Sequence, residues 1–581
     1  MAEYLSPGVY VEEFDQGSRP MEGVSTSTAG FVGMAARGAV KGVPELVTSF
    51  ADFKRKFGGY LSRVEYGDYS YLPICVEQFF INGGARCFVM RVAPPDAKAA
   101  TNAAGDERSA GLVHISARNP GMWGNKIRVV ITDASKARTQ ILDIKEDSNT
   151  GNRYIVKNTA GFCEGDIVSY TDGVRTLLNK IVKVQDDFIQ FENAFDLEVI
   201  DQKILPTKTI STCEISVAVK YEDIAEAYEN VSFNQAAANF IEKRMAKSEL
   251  VSIAYESGPE DKEIIRPYER ISGSTADSFV ISLAGGSNGS SMNADASVFI
   301  GLDNGPGERS GIQAFLENSQ VSVMAVPGVT DPNVQITLVA HCENLGSRFA
   351  VLDIPRDRKK VDEVIAHRSM FDSNYAALYH PWLEVFDPLD KKSTHIPPSA
   401  SIAGIYARSD TERGVQKAPA NEVVRGCTGL DCLYNKGEQD ILNPQGINLI
   451  RVFPGQGIRV WGARTCSSES NWKYVNVRRL FIFIEESIKA NTNWVVFEPN
   501  EVMLWSRVKR TIEVFLTNLW RDGALAGGTA EEAFFVDIGR TTMTQDDIDN
   551  GRLICVIGVA PVKPAEFVIF RITQKVNEAQ G

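Results

Sequence analysis

Four short apolar runs, LVSIAY (Leu250–Tyr255), SFVISLAGG (Ser278–Gly286), VSVMAVPG (Val321–Gly328) and FAVLDIP (Phe349–Pro355), alternate with stretches of helical period. Continuous apolar runs too short for helices, separated by helices, are the pattern of buried strands in a mostly parallel sheet covered on both faces. The same alternation occupies Gly30 to Ala93. It ends in GGARCFVMRV, where Phe88 to Val92 reads as a strand entered from a glycine turn. From Ile131 to about Ser216 the pattern changes to short strands with Asp/Asn/Gly turns, as in GDIVSYTDGVRTLL and DDFIQFENAF, which predicts a β-rich insertion. A helix is expected over Asp223 to Lys247. No repeat of fixed period occurs, which argues against a solenoid. At 581 residues the chain exceeds what one core organises, so several domains are expected.

Composition narrows the function classes. No apolar run approaches the ~18–20 residues needed to span a bilayer. The N-terminus MAEYLSPGVYVEEF lacks the basic, apolar and small-residue regions of a secretory signal, so folding in a cytoplasm is expected. The nine cysteines contain no CxxC pair, and only Cys427 and Cys432 lie close together, which reads as reduced thiols. A net charge of −13 argues against general nucleic-acid binding. The charge is uneven: Asn443 to Arg521 holds 11 Lys and Arg against 6 acids, +5 locally and −18 elsewhere. That region suits an acidic partner.

The chemistry-bearing motifs are incomplete. Gly285, Ser287 and Gly289 satisfy the letters of a nucleophile elbow, but the polar SSMNAD follows where a helix is required and no base is identifiable. HExxH is missing around His341. With Gly551 of TQDDIDNG aligned to the invariant glycine of a calcium loop, Ile548 falls where a ligand is needed and Ile557 where the closing Glu belongs, so a turn capped by Asp side chains is expected. No GxxxxGK[ST] occurs. No cofactor, metal or catalytic residue is expected.

The C-terminal third is dense in strand and turn signals without a reactive centre, as an assembly surface would be. In Val502 to Arg521, at ~100° per residue, Leu504, Val508, Ile512, Phe515 and Leu519 form one stripe and Arg507, Arg510 and Arg521 another flank. Lys509 sits four residues before Glu513, a spacing that permits a pair. The helix is open to two readings, an ordinary amphipathic surface helix or a basic face for an acidic partner. The final run AEFVIFRI (Ala565–Ile572) reads as a strand with Val568, Phe570 and Ile572 on one face and Phe567, Ile569 and Arg571 on the other. With both faces largely apolar, it must be paired, within its own chain or with another. The first 25 residues offer one short β-like stretch, SPGVYVEEF, before a polar, turn-rich segment, and read as an arm.

The runs LNPQGINLIRVFPGQGIRVWGARTCSS, WKYVNVRRLFIFIEESI, TNWVVFEPN and IGVAPVKPAEFVIFRI resemble the C-terminal region of contractile tail sheath proteins. SPGVYVEEF, GGARCFVMRV, PGMWGNKI, VPGVTD, HCENLGSRFAVLD, SNYAALYHPWLEVFDP and IPPSASIAGIYARSD extend the resemblance over nearly the whole chain. It implies a multidomain mixed α/β protein: an N-terminal arm (1–25), an α/β segment packing with the core (26–95), a variable β-rich insertion (96–250), a non-catalytic subtilisin-like α/β domain (251–463), a C-terminal domain facing a tube (464–564) and a C-terminal arm (565–581). It also implies six-fold rings stacked helically around an inner tube, with baseplate and terminator or cap proteins as partners and no nucleic acid or membrane insertion. The setting would be a phage tail or phage-tail-like particle assembled in a bacterial cytoplasm. Arg507, Lys509, Arg510 and Arg521 would face the tube. Val9, Tyr10, Val11 and Phe14 of one arm, and Phe567, Val568, Ile569, Phe570 and Ile572 of the other, would exchange between subunits. The competing classes are a serine hydrolase using Ser287 and a monomeric binding module using the basic helix.

Overall fold

The computed structural model describes residues 21–102, 113–145, 152–171, 176–193, 209–256, 264–273 and 278–569. Its centre is a nine-stranded sheet in the order Glu45–Val47, Cys87–Val92, Ala29–Met34, Val323–Ala325, Phe349–Asp353, Ala376–His380, Ile447–Phe453, Gly457–Val460, Glu422–Val423. The six strands from Cys87–Val92 to Ile447–Phe453 run parallel, and the outer ones are antiparallel. Strands such as Ala29–Met34 and Phe349–Asp353 are buried along their whole length, as apolar runs without alternation require. The helices Leu72–Ile81 and Ser399–Arg413 pack on one face and Pro332–Leu345 and Val361–Arg368 on the other. Pro332–Leu345 starts where the Asp331 carboxylate accepts from the Asn333 amide, with Pro332 in the first turn, and stops at Gly346 in the left-handed region.

Two of the four strands expected in this sheet lie elsewhere. Val251–Tyr255 and Ser278–Ala284 join an antiparallel seven-stranded sheet with Ile224–Val231, Glu214–Tyr221, Arg128–Ala134, Thr101–Asn102 and Val113–Ala117. Ser278–Ala284 alternates exposed and buried positions toward its end, the mark of a one-sided strand. Residues 29–92 supply three of the nine-stranded sheet's other strands, and Ala29 pairs with Val323 across 294 positions, a pairing that local pattern cannot specify. The helix expected over Asp223 to Lys247 is also corrected. Ile224–Val231 is a strand joined to Glu214–Tyr221 by a tight turn with Glu222 at φ 48°, and the helix there is only Ile241–Met245. Pairing overrides the helix propensity of its Ala and Glu residues.

Six strands, Arg138–Lys145, Arg153–Val156, Ile167–Thr171, Thr176–Val184, Phe188–Phe191 and Thr209–Thr212, close into a small barrel with its own core of Ile141, Tyr154, Val168, Tyr170, Ile189 and Ile210. Its entry and exit are clasped: the Thr212 amide donates to the Ala137 carbonyl at 2.9 Å, and the Ala137 amide donates to Thr212 Oγ1 at 3.0 Å. At the clasp, Lys136 Nζ reaches Asp166 at 2.8 Å and Glu214 at 3.5 Å.

With its own core and adjacent ends, the barrel is removable. Replacing residues 138–211 by a short Gly-Asn turn is expected to leave a folded, soluble remainder, shown by a single cooperative thermal transition. An unfolded or aggregated product would show that the barrel supports the seven-stranded sheet.

Candidate assembly surface

The helix Val475–Asn491 buries Val475, Asn476, Val477, Arg478, Arg479, Leu480, Ile482, Ile484 and Ser487. Two consecutive buried arginines would be costly without partners. Arg479 binds the Asp410 carboxylate through both terminal nitrogens, at 3.0 and 2.5 Å, with the two side chains 3% and 5% exposed. Its guanidinium also donates to the Thr26 carbonyl at 3.0 Å and lies over the Tyr406 ring, while the Thr26 hydroxyl donates to Asp410 at 2.6 Å. Arg478 lies over the rings of Tyr375 and Trp472, both 4.6 Å away, and donates to Glu485.

Both ends of the described chain attach to this helix. Near the N-terminus, the Val24 amide donates to Ser487 Oγ at 3.1 Å and Asn491 Nδ2 donates to the Glu22 carbonyl at 2.8 Å. Near the C-terminus, Asn476 Nδ2 donates to the Val562 carbonyl at 3.3 Å. Glu566 accepts from Arg464 through both carboxylate oxygens at 2.7 Å, from Asn443 at 2.9 Å and from the Tyr474 hydroxyl at 3.0 Å, with Lys473 3.5 Å away. Burial alone would raise the Glu566 carboxyl, but Arg464 foremost, with Asn443 and Tyr474, outweighs it and holds the group at about 2 instead of 4.5.

Beyond this clamp the chain is bare: Phe567, Val568 and Ile569 are 72, 68 and 79% exposed and make no ladder. The strand expected from Ala565 is therefore unformed through Ile569. Phe570 and Ile572, like Val9, Tyr10, Val11 and Phe14, lie outside the described residues. Close in sequence stands a two-stranded antiparallel sheet, Phe534–Ile538 with Cys555–Val559, which among the described residues has no third strand.

That sheet packs on the helix Val502–Arg521, which buries Leu504, Val508, Ile512 and Phe515 as its spacing requires, with Leu519 half-buried. Arg507, Arg510 and Arg521 are exposed. Arg507 lies over Trp494 at 4.4 Å and 3.4 Å from Glu498, and Lys509 is 3.8 Å from Glu513. No ion pair involves Arg510 or Arg521 among the described residues. The basic flank is thus half engaged at home and half free.

Among the described residues no serine–histidine pair is assembled. Ser287 sits in the loop after Ser278–Ala284, where its Oγ accepts from the Gly289 amide at 3.0 Å. His341 contacts Arg348, His367 contacts Gln335, His380 contacts Tyr434, His395 contacts Arg356, and His114 lies 3.5 Å from Glu256. Burial depresses His341 and His367 to about 4 and His380 to about 3, leaving them neutral. Ser399 opens a helix and donates to Asp353 at 2.7 Å, but both are buried and closed to substrate. TQDDIDNG forms the short helix Gln545–Asp549, with Thr544 and Asp547 capping one another and Arg552 pairing Asp546 and Asp547. No helix among the described residues is long and apolar enough to cross a membrane.

Residues 305–466 match the phage tail sheath protein central domain and residues 467–575 the phage tail sheath C-terminal domain. Residues 305–575 belong to the contractile tail sheath family. It is 26% identical over 290 residues to a putative prophage major tail sheath protein of Pseudomonas aeruginosa, covering 48% of this chain and 72% of that protein. The tail sheath protein of Escherichia phage P2 is also 26% identical over 290 residues, covering 48% and 70%. The fold is shared with the sheath complex of the extracellular contractile injection system PVC in its contracted state, with a TM-score of 0.52, 21% identity and all of both chains covered. It is shared too with the sheath tail protein Lin1278 from Listeria innocua, with a TM-score of 0.53, 12% identity and 93 and 96% coverage. The chain is a tail sheath structural subunit of a phage or phage-like contractile system. Its sheath helix Val475–Asn491, with the partners that root both chain ends, escaped the sequence reading. The one available signal was the Arg478–Arg479 pair inside an apolar helical run.

Because the folded pKa of Glu566 lies below its unfolded value, the clamp's contribution is complete above about 4.5 and is lost as pH falls toward 2. Glu566→Gln should weaken the clamp by on the order of 2–3 kcal/mol. Hydrogen exchange at the Val562 amide, which donates to the Ala524 carbonyl at 3.3 Å, is expected to quicken in the variant at neutral pH, and in the parent only below about pH 4.5. Equal exchange in both would remove the clamp.

Proposed function

We propose that the chain polymerises as stacked six-fold rings around an inner tube and contracts to drive that tube through a target envelope. The two chain ends act as exchanged strands that join neighbouring subunits. One observation carries this reading: an apolar, unladdered segment, Phe567 to Ile569, emerges from a charged clamp in the domain that also holds an isolated two-stranded sheet. Two strands alone are marginal in water, and a third from another copy satisfies both the sheet edge and the apolar segment.

In this reading the nine-stranded sheet with its helices is a subtilisin-like scaffold without catalysis, and residues 464–564 face the tube. Arg507, Arg510, Arg521 and Lys509 meet carboxylates on it. Exposed pairs of this kind contribute about 0.2–1 kcal/mol each, a grip repeated over many copies yet releasable. Contraction then needs two packings of the same subunits separated by a barrier, with the exchanged strands as hinged tethers. The energy is stored at assembly, so no catalytic step is required. Assembly takes place in the bacterial cytoplasm, with baseplate and terminator proteins at the two ends.

Ile569→Pro removes a backbone donor from the exchanged strand without touching a core. Negative-stain images of the purified parent should show ridged hollow tubes or stacked rings. The variant should stay in small particles with an unchanged melting temperature. Normal tubes from Ile569→Pro would rule out the exchange.

A further inference from the structure

The loop between the helices Val475–Asn491 and Val502–Arg521 presents an apolar tip that is exposed among the described residues. Phe497 is fully exposed, with Val496, Val502 and Met503 at 63, 66 and 79%. Phe497 also holds φ 70°, a left-handed backbone that a bulky side chain adopts only at a cost. The loop is nonetheless tightly built. The Val495 amide donates to the Thr492 carbonyl at 3.0 Å and the Glu498 amide to the Val495 carbonyl at 3.2 Å. Asn500 accepts from the buried Trp505 indole at 2.7 Å and donates to the Arg552 carbonyl at 3.0 Å. A strained, wholly exposed aromatic on a rigid support is preorganised for contact, because little ordering remains to oppose binding.

Charge indicates what it contacts. Arg507, stacked on Trp494 at the base of the loop, and the unpaired Arg510 lie on the adjoining helix face. An aromatic anchor beside arginines fits an apolar depression rimmed by carboxylates. We propose that Phe497 is an apolar anchor that inserts into such a depression on the inner tube, beside the electrostatic contacts of Arg507 and Arg510. This rests on the tube-facing reading of the basic helix and adds its apolar component, which salt does not screen.

The test is co-sedimentation with purified, sheath-free inner tubes from the same particles, at low salt and at 0.5 M salt. Phe497→Asn is the informative variant: Asn accepts the left-handed backbone, so the melting temperature should hold or rise, while affinity for the tube should fall at least tenfold and the salt-resistant fraction should vanish. Arg507→Glu with Arg510→Glu should weaken binding chiefly at low salt. If the charge reversal weakens binding and Phe497→Asn does not, the anchor is refuted and the tube-facing reading stands. If neither weakens it, both fall. If Phe497→Asn abolishes tube-free polymerisation, the loop contacts a second copy of this chain, and the proposal is overturned.

Discussion

A bidentate pair between Arg479 and Asp410, shut away from water, joins three parts of the chain that are remote in sequence. Asp410 lies in the last turn of a helix that covers the parallel sheet, Arg479 lies on the helix that opens the C-terminal domain, and Thr26 belongs to the entering N-terminal segment. Removing one partner of a buried pair costs about 3–5 kcal/mol, because the other charge is stranded. The pair is thus a constraint on geometry: the C-terminal domain, the sheet and the N-terminal entry must keep one arrangement for both charges to stay satisfied. Tyr406, which stacks on Arg479 and shares a 2.7 Å hydrogen bond with Tyr379, carries that constraint into the sheet.

The same helix roots the other end of the chain, through Asn476 and the neighbouring Tyr474–Glu566–Arg464 clamp. The described segments at the two ends, Glu22–Val24 and Val562–Glu566, are thus held in a fixed relation to each other. Under the proposed exchange, a lattice joined by the chain ends would rearrange between subunits while each subunit keeps its shape. The Glu566 clamp is held by an arginine, a tyrosine and an amide, whereas Arg510 and Arg521 are exposed and make no ion pair among the described residues.

Legibility in the sequence followed the range of the interactions. The helix Val502–Arg521 forms over the residues its periodicity marks, because an amphipathic stripe is a local signal. The strands Val323–Ala325 and Phe349–Asp353 likewise lie within apolar runs bounded by turns. Sheet membership was not legible: Ser278–Ala284 looks like the strands of the parallel sheet in composition, and only its one-sided exposure separates it from them. Ile224–Val231 reads as helix because Ala and Glu favour one, until pairing with Glu214–Tyr221 decides otherwise. In the candidate surface, the basic flank was visible, but Glu566 and Asp410 were ordinary acids until folding brought Arg464 and Arg479 to them across 102 and 69 positions. The strain at Phe497 had no sequence signal, since any residue type can precede Glu498 in a loop.

The central claim is that the chain ends, rooted on one helix, leave their own subunit to complete another's sheet. A cryo-electron microscopy reconstruction of tubes assembled from the purified protein tests it most directly. The account predicts six-fold rings in which residues 567–572 of one subunit lie as a strand beside the sheet of Phe534–Ile538 and Cys555–Val559 in a neighbour, with Glu566 still bound to Arg464 of its own chain. Density showing the same residues folded back onto their own sheet, in an otherwise ordered lattice, would contradict it.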